Sequence, residues 1–416
     1  MTDAPADPHV RRRIVMLLTT EFTWGLGFFF VLPATTIATF LNARGAAPVV
    51  IGVMATAMGA LPLLLQLFGR QVMQRLGHGQ RSLALLHIPV IAPYFLVALA
   101  DAALGGHPRA LVAVTIALLA VSQVCLGLIV PVWLDLLARV IPLAYRGRYF
   151  GLASAAFAIG GILGGVALTV LEQRLGGAVY RAAFLLAGVL FTISITVLAC
   201  APLPEAAFIH DPEPPLWVRS RRAFGACRPA TDFGKLVWSY AAMILASSLM
   251  PFLVVYATDA RLGLGYPEGV FSRITLLQAI GGAVGSVCLG WMVDHHGPRW
   301  PWVAATLFMP AVAVLYPYAG HWAILAACSV MCGALTTHWS VSGPALLELS
   351  PEGDKSGYVA AANMIGFVPA AVGPILFGGL IEHAGYTVTF IAAGVCGIAA
   401  IAPAMAIRGR DRRGAE

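Results

Sequence analysis

The sequence predicts an all-α membrane protein, with twelve transmembrane helices in two pseudo-symmetric six-helix bundles. Three observations carry that prediction. The 416 residues are 59% hydrophobic and only 11% charged, with a mean hydropathy of +0.83, whereas soluble domains carry about 25% charged residues. Apolar runs recur along the whole chain, and roughly 20 apolar residues suffice for a helix to cross a hydrocarbon core of about 30 Å. Features of the first half also return, in the same order, in the second.

Taken in order, the first expected span covers about 14–41 and starts directly after Arg11, Arg12 and Arg13. It is too long for a cleaved leader and lacks a small-residue cleavage site, so a retained span is expected. Spans 2 to 6 follow at about 48–68, 82–102, 110–138, 149–171 and 180–203. Residues 204–235 then form the longest polar stretch, which holds five prolines together with Arg219, Arg221, Arg222, Arg228 and Lys235. Spans 7 to 12 lie at about 236–258, 269–293, 300–318, 321–347, 357–381 and 385–407. The expected domains are therefore an N-terminal bundle over 1–203, a cytoplasmic basic linker over 204–235 and a C-terminal bundle over 236–416.

Charge orients the chain. With both termini on one side, that side holds all Lys and Arg residues except Arg44, Arg109, Arg174, Arg181, Arg261 and Arg273, which is 20 of 26. The positive-inside rule makes it cytoplasmic. Topology accounts for the net charge of +7, so no nucleic-acid partner is needed. Six of the seven cysteines fall in spans, where they read as small packing residues. No cofactor, metal cluster, nucleophile–base set or P-loop is legible, which argues against an enzyme.

The repeat is specific. "Pro131-Val-Trp-Leu-Asp135" closes span 4 and "Pro344-Ala-Leu-Leu-Glu348" closes span 10, an offset of 213. The loops that follow read "Tyr145-Arg146-Gly147-Arg148" and "Asp354-Lys355-Ser356-Gly357". The loop after span 2 reads "Gln74-Arg75-Leu76-Gly77", and that after span 8 reads "Asp294-His295-His296-Gly297-Pro298-Arg299". Parallel six-helix repeats are a transporter architecture.

"Gly290-Trp-Met-Val-Asp294-His295-His296-Gly297-Pro298-Arg299" resembles the Gly-x-x-x-Asp-Arg-x-Gly-x-Arg loop motif of the major facilitator superfamily. The resemblance extends over the whole chain, with Gln74 where the family usually has Asp and His295 where it usually has Arg. It implies the fold of that superfamily and a cytoplasmic gate. In that gate Asp135 and Glu348 would pair with the loops bearing Arg75, Arg146, Asp294 and Arg299.

Glu21 is the main candidate for coupling. It lies eight residues beyond Arg13, or about 12 Å along a helix, too deep to snorkel fully to water. An acid in the apolar core costs on the order of 3 kcal/mol, so it should face a cavity or a partner and handle a proton or solute there. Trp24 and Phe28 share its helix face and would supply an aromatic wall. "Glu-Phe-Thr-Trp" also looks like the embedded glutamate of span 1 in some multidrug antiporters of the superfamily. His338 lies in a polar cluster with Trp339, about 15 Å before Glu348, at a depth close to that of Glu21. Gln123 and Asn363 are further buried amides expected near solute, with Gln278 and Tyr240 behind them.

The expectation is a monomeric, proton-coupled secondary transporter in a cell inner membrane, with both termini cytoplasmic. Its partners would be a small organic solute, protons and the lipid bilayer. Export is the first choice, uptake is the alternative, and a non-transporting scaffold or sensor is a third class.

Overall fold

Inside a bilayer no water bonds to the backbone, so each apolar segment must close its own hydrogen bonds. The computed structural model describes residues 10–68, 72, 80–141, 146–203, 224–336, 338–351 and 355–408, and among these it contains fourteen α-helices and no strand. They are α1 (Val10–Phe30), α2 (Ala38–Ala43), α3 (Pro48–Leu65), α4 (Gln80–Ala103), α5 (Pro108–Val140), α6 (Arg146–Leu175) and α7 (Val179–Ala199). Then come α8 (Asp232–Ser247), α9 (Met250–Thr258), α10 (Val270–His296), α11 (Arg299–Leu315), α12 (Trp322–Thr336), α13 (Trp339–Leu349) and α14 (Lys355–Met405).

Among the described residues, ten segments are long and apolar enough to cross a membrane. Two of them, Arg148–Ala199 with 52 residues and Ala361–Met405 with 45, are each long enough for two crossings. They contain breaks at Gly176–Ala178 and at Gly385, and Gly385 has a φ of 81° that favours glycine.

Two spans expected to be continuous are interrupted. α1 stops at Phe30, Leu32 is extended (φ −60°, ψ 123°), and a π-helical turn over Pro33–Ile37 leads into α2. Proline lacks the N–H that would continue the ladder, and it pushes the preceding residue toward extended backbone. The expected span 7 divides in the same way, at Ser248–Leu249 just before Pro251, into α8 and α9.

The chain forms two compact units, Met1–Val31 with Leu65–Pro212, and Leu32–Leu64 with Glu213–Glu416. The segment 32–64 therefore packs with the C-terminal helices, although it precedes the linker by more than a hundred residues. In the first unit α1 beds against α6 and α7. A methyl on Gly160 would overlap the Phe22 carbonyl, and one on Gly164 would come 2.6 Å from the Leu26 oxygen, so only glycine permits this crossing. Ser194 Oγ donates to the Thr20 carbonyl at 2.9 Å and fixes α7 to α1. α4 is tied to α7 at one end by Gln80, which donates to the Leu198 and Ala201 carbonyls, and at the other by Arg181 on Asp101 at 3.3 Å.

The second unit repeats the device. α8 lies against α14, where a methyl on Gly366 would come 2.9 Å from the Tyr240 ring. Ser239 Oγ donates to the Ala400 carbonyl at 2.6 Å and accepts from the Trp302 indole at 2.9 Å. α10 and α12 approach backbone to backbone through Gly281 and Gly333.

Candidate functional site

Glu21 is partly buried in the middle of α1. The neighbouring hydroxyls are not its partners: Thr19, Thr20 and Thr23 each return a hydrogen bond to their own helix, on Val15, Met16 and Thr19. Such back-bonding satisfies a hydroxyl within its own helix, and Thr20 Oγ1 also reaches the Ser194 carbonyl of α7 at 3.5 Å. What meets the carboxyl is Trp133 of α5, whose indole N–H donates to it. The Tyr149 hydroxyl of α6 lies within electrostatic reach of the same carboxyl. Tyr149 is 1% exposed, and its hydroxyl has no hydrogen-bond partner among the described residues. Buried polar atoms without partners are rare, and each costs on the order of 1–3 kcal/mol. An acid in the middle of α1, an indole donor near the C-terminal end of α5 and a phenol near the start of α6 thus come together.

The aromatic wall expected beside Glu21 is distributed differently. Trp24 packs between His87 of α4 and Phe191 of α7, with ring centroids 6.0 and 4.5 Å apart. Phe28 packs against Phe29 and Phe157 at 5.7 and 6.0 Å. Both rings thus lie among the helices of their own unit, while the carboxyl turns to α5. Gln123 is buried on α5, ten residues before Trp133 and so about 15 Å further along it.

In the second unit His338 lies between α12 and α13. Its Nδ1 is 3.0 Å from the Leu335 carbonyl, and its ring is 5.9 Å from that of Tyr240 on α8. Ser342, one turn on, is 1% exposed and its hydroxyl lacks a partner among the described residues. Asn363 is buried on α14, one turn from the Gly366 that packs on Tyr240. The structure thus groups His338, Tyr240 and the Gly366 turn, whereas the Trp339 side chain lies outside the described residues.

Of the gate residues, Arg75 and the side chains of Asp135 and Arg146 lie outside the described residues. Arg299 donates to the Met405 carbonyl at 2.7 Å and holds the C-terminal end of α14, where a cation is favoured. Asp294 is exposed on α10 and Glu348 partly buried on α13. Among the described residues no group of three or more His, Cys, Asp or Glu could hold a metal ion.

Sequence reasoning missed Trp133 and Tyr149. The signal was present, because Trp133 lies inside the "Pro131-Val-Trp-Leu-Asp135" stretch and Tyr149 directly follows the basic loop. Nothing in one dimension, however, places either beside residue 21.

The Major Facilitator Superfamily model matches residues 17–272 and 236–416. The chain belongs to this superfamily. Solved structures share the fold at low identity. A variant of the nucleoside transporter NupG superposes with a TM-score of 0.70 at 14% identity, covering 95% of this chain and 100% of that one. A POT family transporter in complex with a thioalcohol-conjugated peptide gives 0.69 at 14%, covering 95% of each. The E. coli fucose:proton symporter FucP gives 0.60 at 12%, covering 97% and 100%. No curated relative matches the chain in sequence. Membership and fold make the chain a multi-pass membrane transporter.

Proposed function

We propose that this transporter is proton-coupled, works by alternating access and exports a small amphipathic organic solute, with Glu21 as its proton site. The twelve crossings, the cytoplasmic termini, the inner-membrane location, the monomeric state and the gate role of Asp135 and Glu348 belong to the same proposal. One observation carries it: the Glu21 carboxyl, deep in α1, is met by a neutral donor, the Trp133 indole, which accommodates both the charged and the protonated form. A fixed cation in that place would hold the acid ionised, whereas an indole lets it load and release.

Export follows from competition. If the solute occupies the position that the proton vacates, the two exchange, and an inward proton gradient drives solute out. His338, whose ring lies 5.9 Å from that of Tyr240, is the candidate solute contact within the second unit. The test uses proteoliposomes holding a pH indicator, pulsed from outside with amphipathic solutes. Exchange moves protons out of the vesicle as solute enters. Protons entering together with solute would overturn the export reading in favour of uptake by symport.

A further inference from the structure

The structure ties residues 32–64 to the C-terminal helices through several polar contacts among the described residues. Thr35 Oγ1 and Thr275 Oγ1 are 2.6 Å apart, Thr56 Oγ1 donates to the Ala371 carbonyl at 2.8 Å, and Val49 N–H donates to Glu382 Oε1 at 2.8 Å. Between these ties α3 and α14 run backbone to backbone. A methyl on Gly378 would come 2.6 Å from the Pro48 oxygen, and one on Gly52 would overlap the Pro374 carbonyl. Further along, Ala60 and Leu63 pack on Ala370.

The Glu382 contact differs in kind from the other two. Pro48 opens α3 and has no N–H, while the N–H groups of Val50 and Ile51 already reach back to the Ala47 carbonyl at 2.9 and 3.1 Å. Val49 therefore carries the donor at this helix start for which α3 itself has no acceptor. Glu382 supplies one, and its negative charge also matches the positive end of the helix dipole. The acid is exposed, so water can replace the bond on either side when it breaks. A tie of this kind closes firmly and still opens.

We propose that Glu382 is the latch of the face opposite the N-terminus: its carboxylate caps α3 and holds the 48–56 stretch against 371–382 until that face opens. The inference rests on the alternating-access reading. It gives this face a gate of its own, built from one acid and a backbone N–H, beside the acid-and-loop gate expected at the cytoplasmic mouth. Opening would then peel α3 from α14 inside the unit they share, along the glycine seam, the capped end parting first.

Spin labels at Ala47→Cys and His383→Cys, in a background with the exposed Cys200 and Cys288 replaced by Ser, report the separation of the two ends in nanodiscs. The parent should show a dominant short distance. Glu382→Ala should shift the ratio of long to short distances by about tenfold, the weight of one helix cap. Glu382→Gln, which keeps an acceptor and loses the charge, should fall between them. A ratio in Glu382→Ala within twofold of the parent overturns the latch. The readout is a distance and needs no solute, so a protein that opens as expected yet exchanges no proton for solute would sustain the latch and sink the proton-coupled export reading.

Discussion

Replacing Glu21 by Gln removes the titratable proton and little else. The amide has the size of the carboxyl and retains an oxygen for the Trp133 indole N–H. Exchanging one hydrogen-bond acceptor for another should therefore cost less than about 1 kcal/mol of stability. The effect on coupling should be total. A gradient of one pH unit supplies about 1.4 kcal/mol per proton, which supports roughly tenfold accumulation of solute under one-for-one exchange. The assay is solute uptake into proteoliposomes with the membrane potential clamped to zero and one pH unit imposed. The parent should approach that limit, and Glu21→Gln should equilibrate at a ratio of one. Solute-for-solute exchange, which needs no net proton movement, should persist in the variant. If Glu21→Gln still concentrates solute tenfold, the carboxyl carries no proton in the cycle, and His338 becomes the next candidate.

The other predictions are more local. Gly160→Leu should lower the thermal midpoint sharply, because any side chain there drives into the Phe22 backbone; overpacking of this kind costs about 1–3 kcal/mol or more, and an unchanged midpoint would mean that the α1–α6 seam is loose. Asp135→Asn and Glu348→Gln should each reduce crosslinking across the cytoplasmic mouth, and unchanged yields in both would leave the acids as ordinary surface charges. Cysteines placed at positions 3 and 415 should resist an impermeant thiol reagent in intact cells, and labelling of either would reverse the assigned orientation. Burial pushes the Cys227 thiol up to about 11; the thiolate is the reactive form, so alkylation of Cys227 should stay slow at neutral pH and accelerate only as pH rises toward that value.

Apolar runs and basic loops are one-dimensional signals, and they determined the class of this protein. Membrane thickness sets the length of a span and the positive-inside rule sets its direction, so neither needs knowledge of which helices touch. The repeated proline–acid endings and the Gly290–Arg299 motif carried the superfamily for the same reason, being local in sequence. Glu21 could be singled out as a candidate for a similar reason, because the cost of an acid at that depth holds whatever its neighbours are.

Only tertiary structure decided the neighbours. It turned Glu21 to Trp133, more than a hundred residues away, and sent Trp24 and Phe28 into the packing of their own unit. It brought Glu382 to a backbone N–H at Val49, a partner that has no side-chain signature at all. Prolines stand at both breaks, Pro33 and Pro251, but a proline in a span can bend a helix or end it. That choice depends on what packs around the freed carbonyls. Helical periodicity states which residues share a face and is silent on what the face meets, because the meeting is fixed by contacts hundreds of residues apart along the chain.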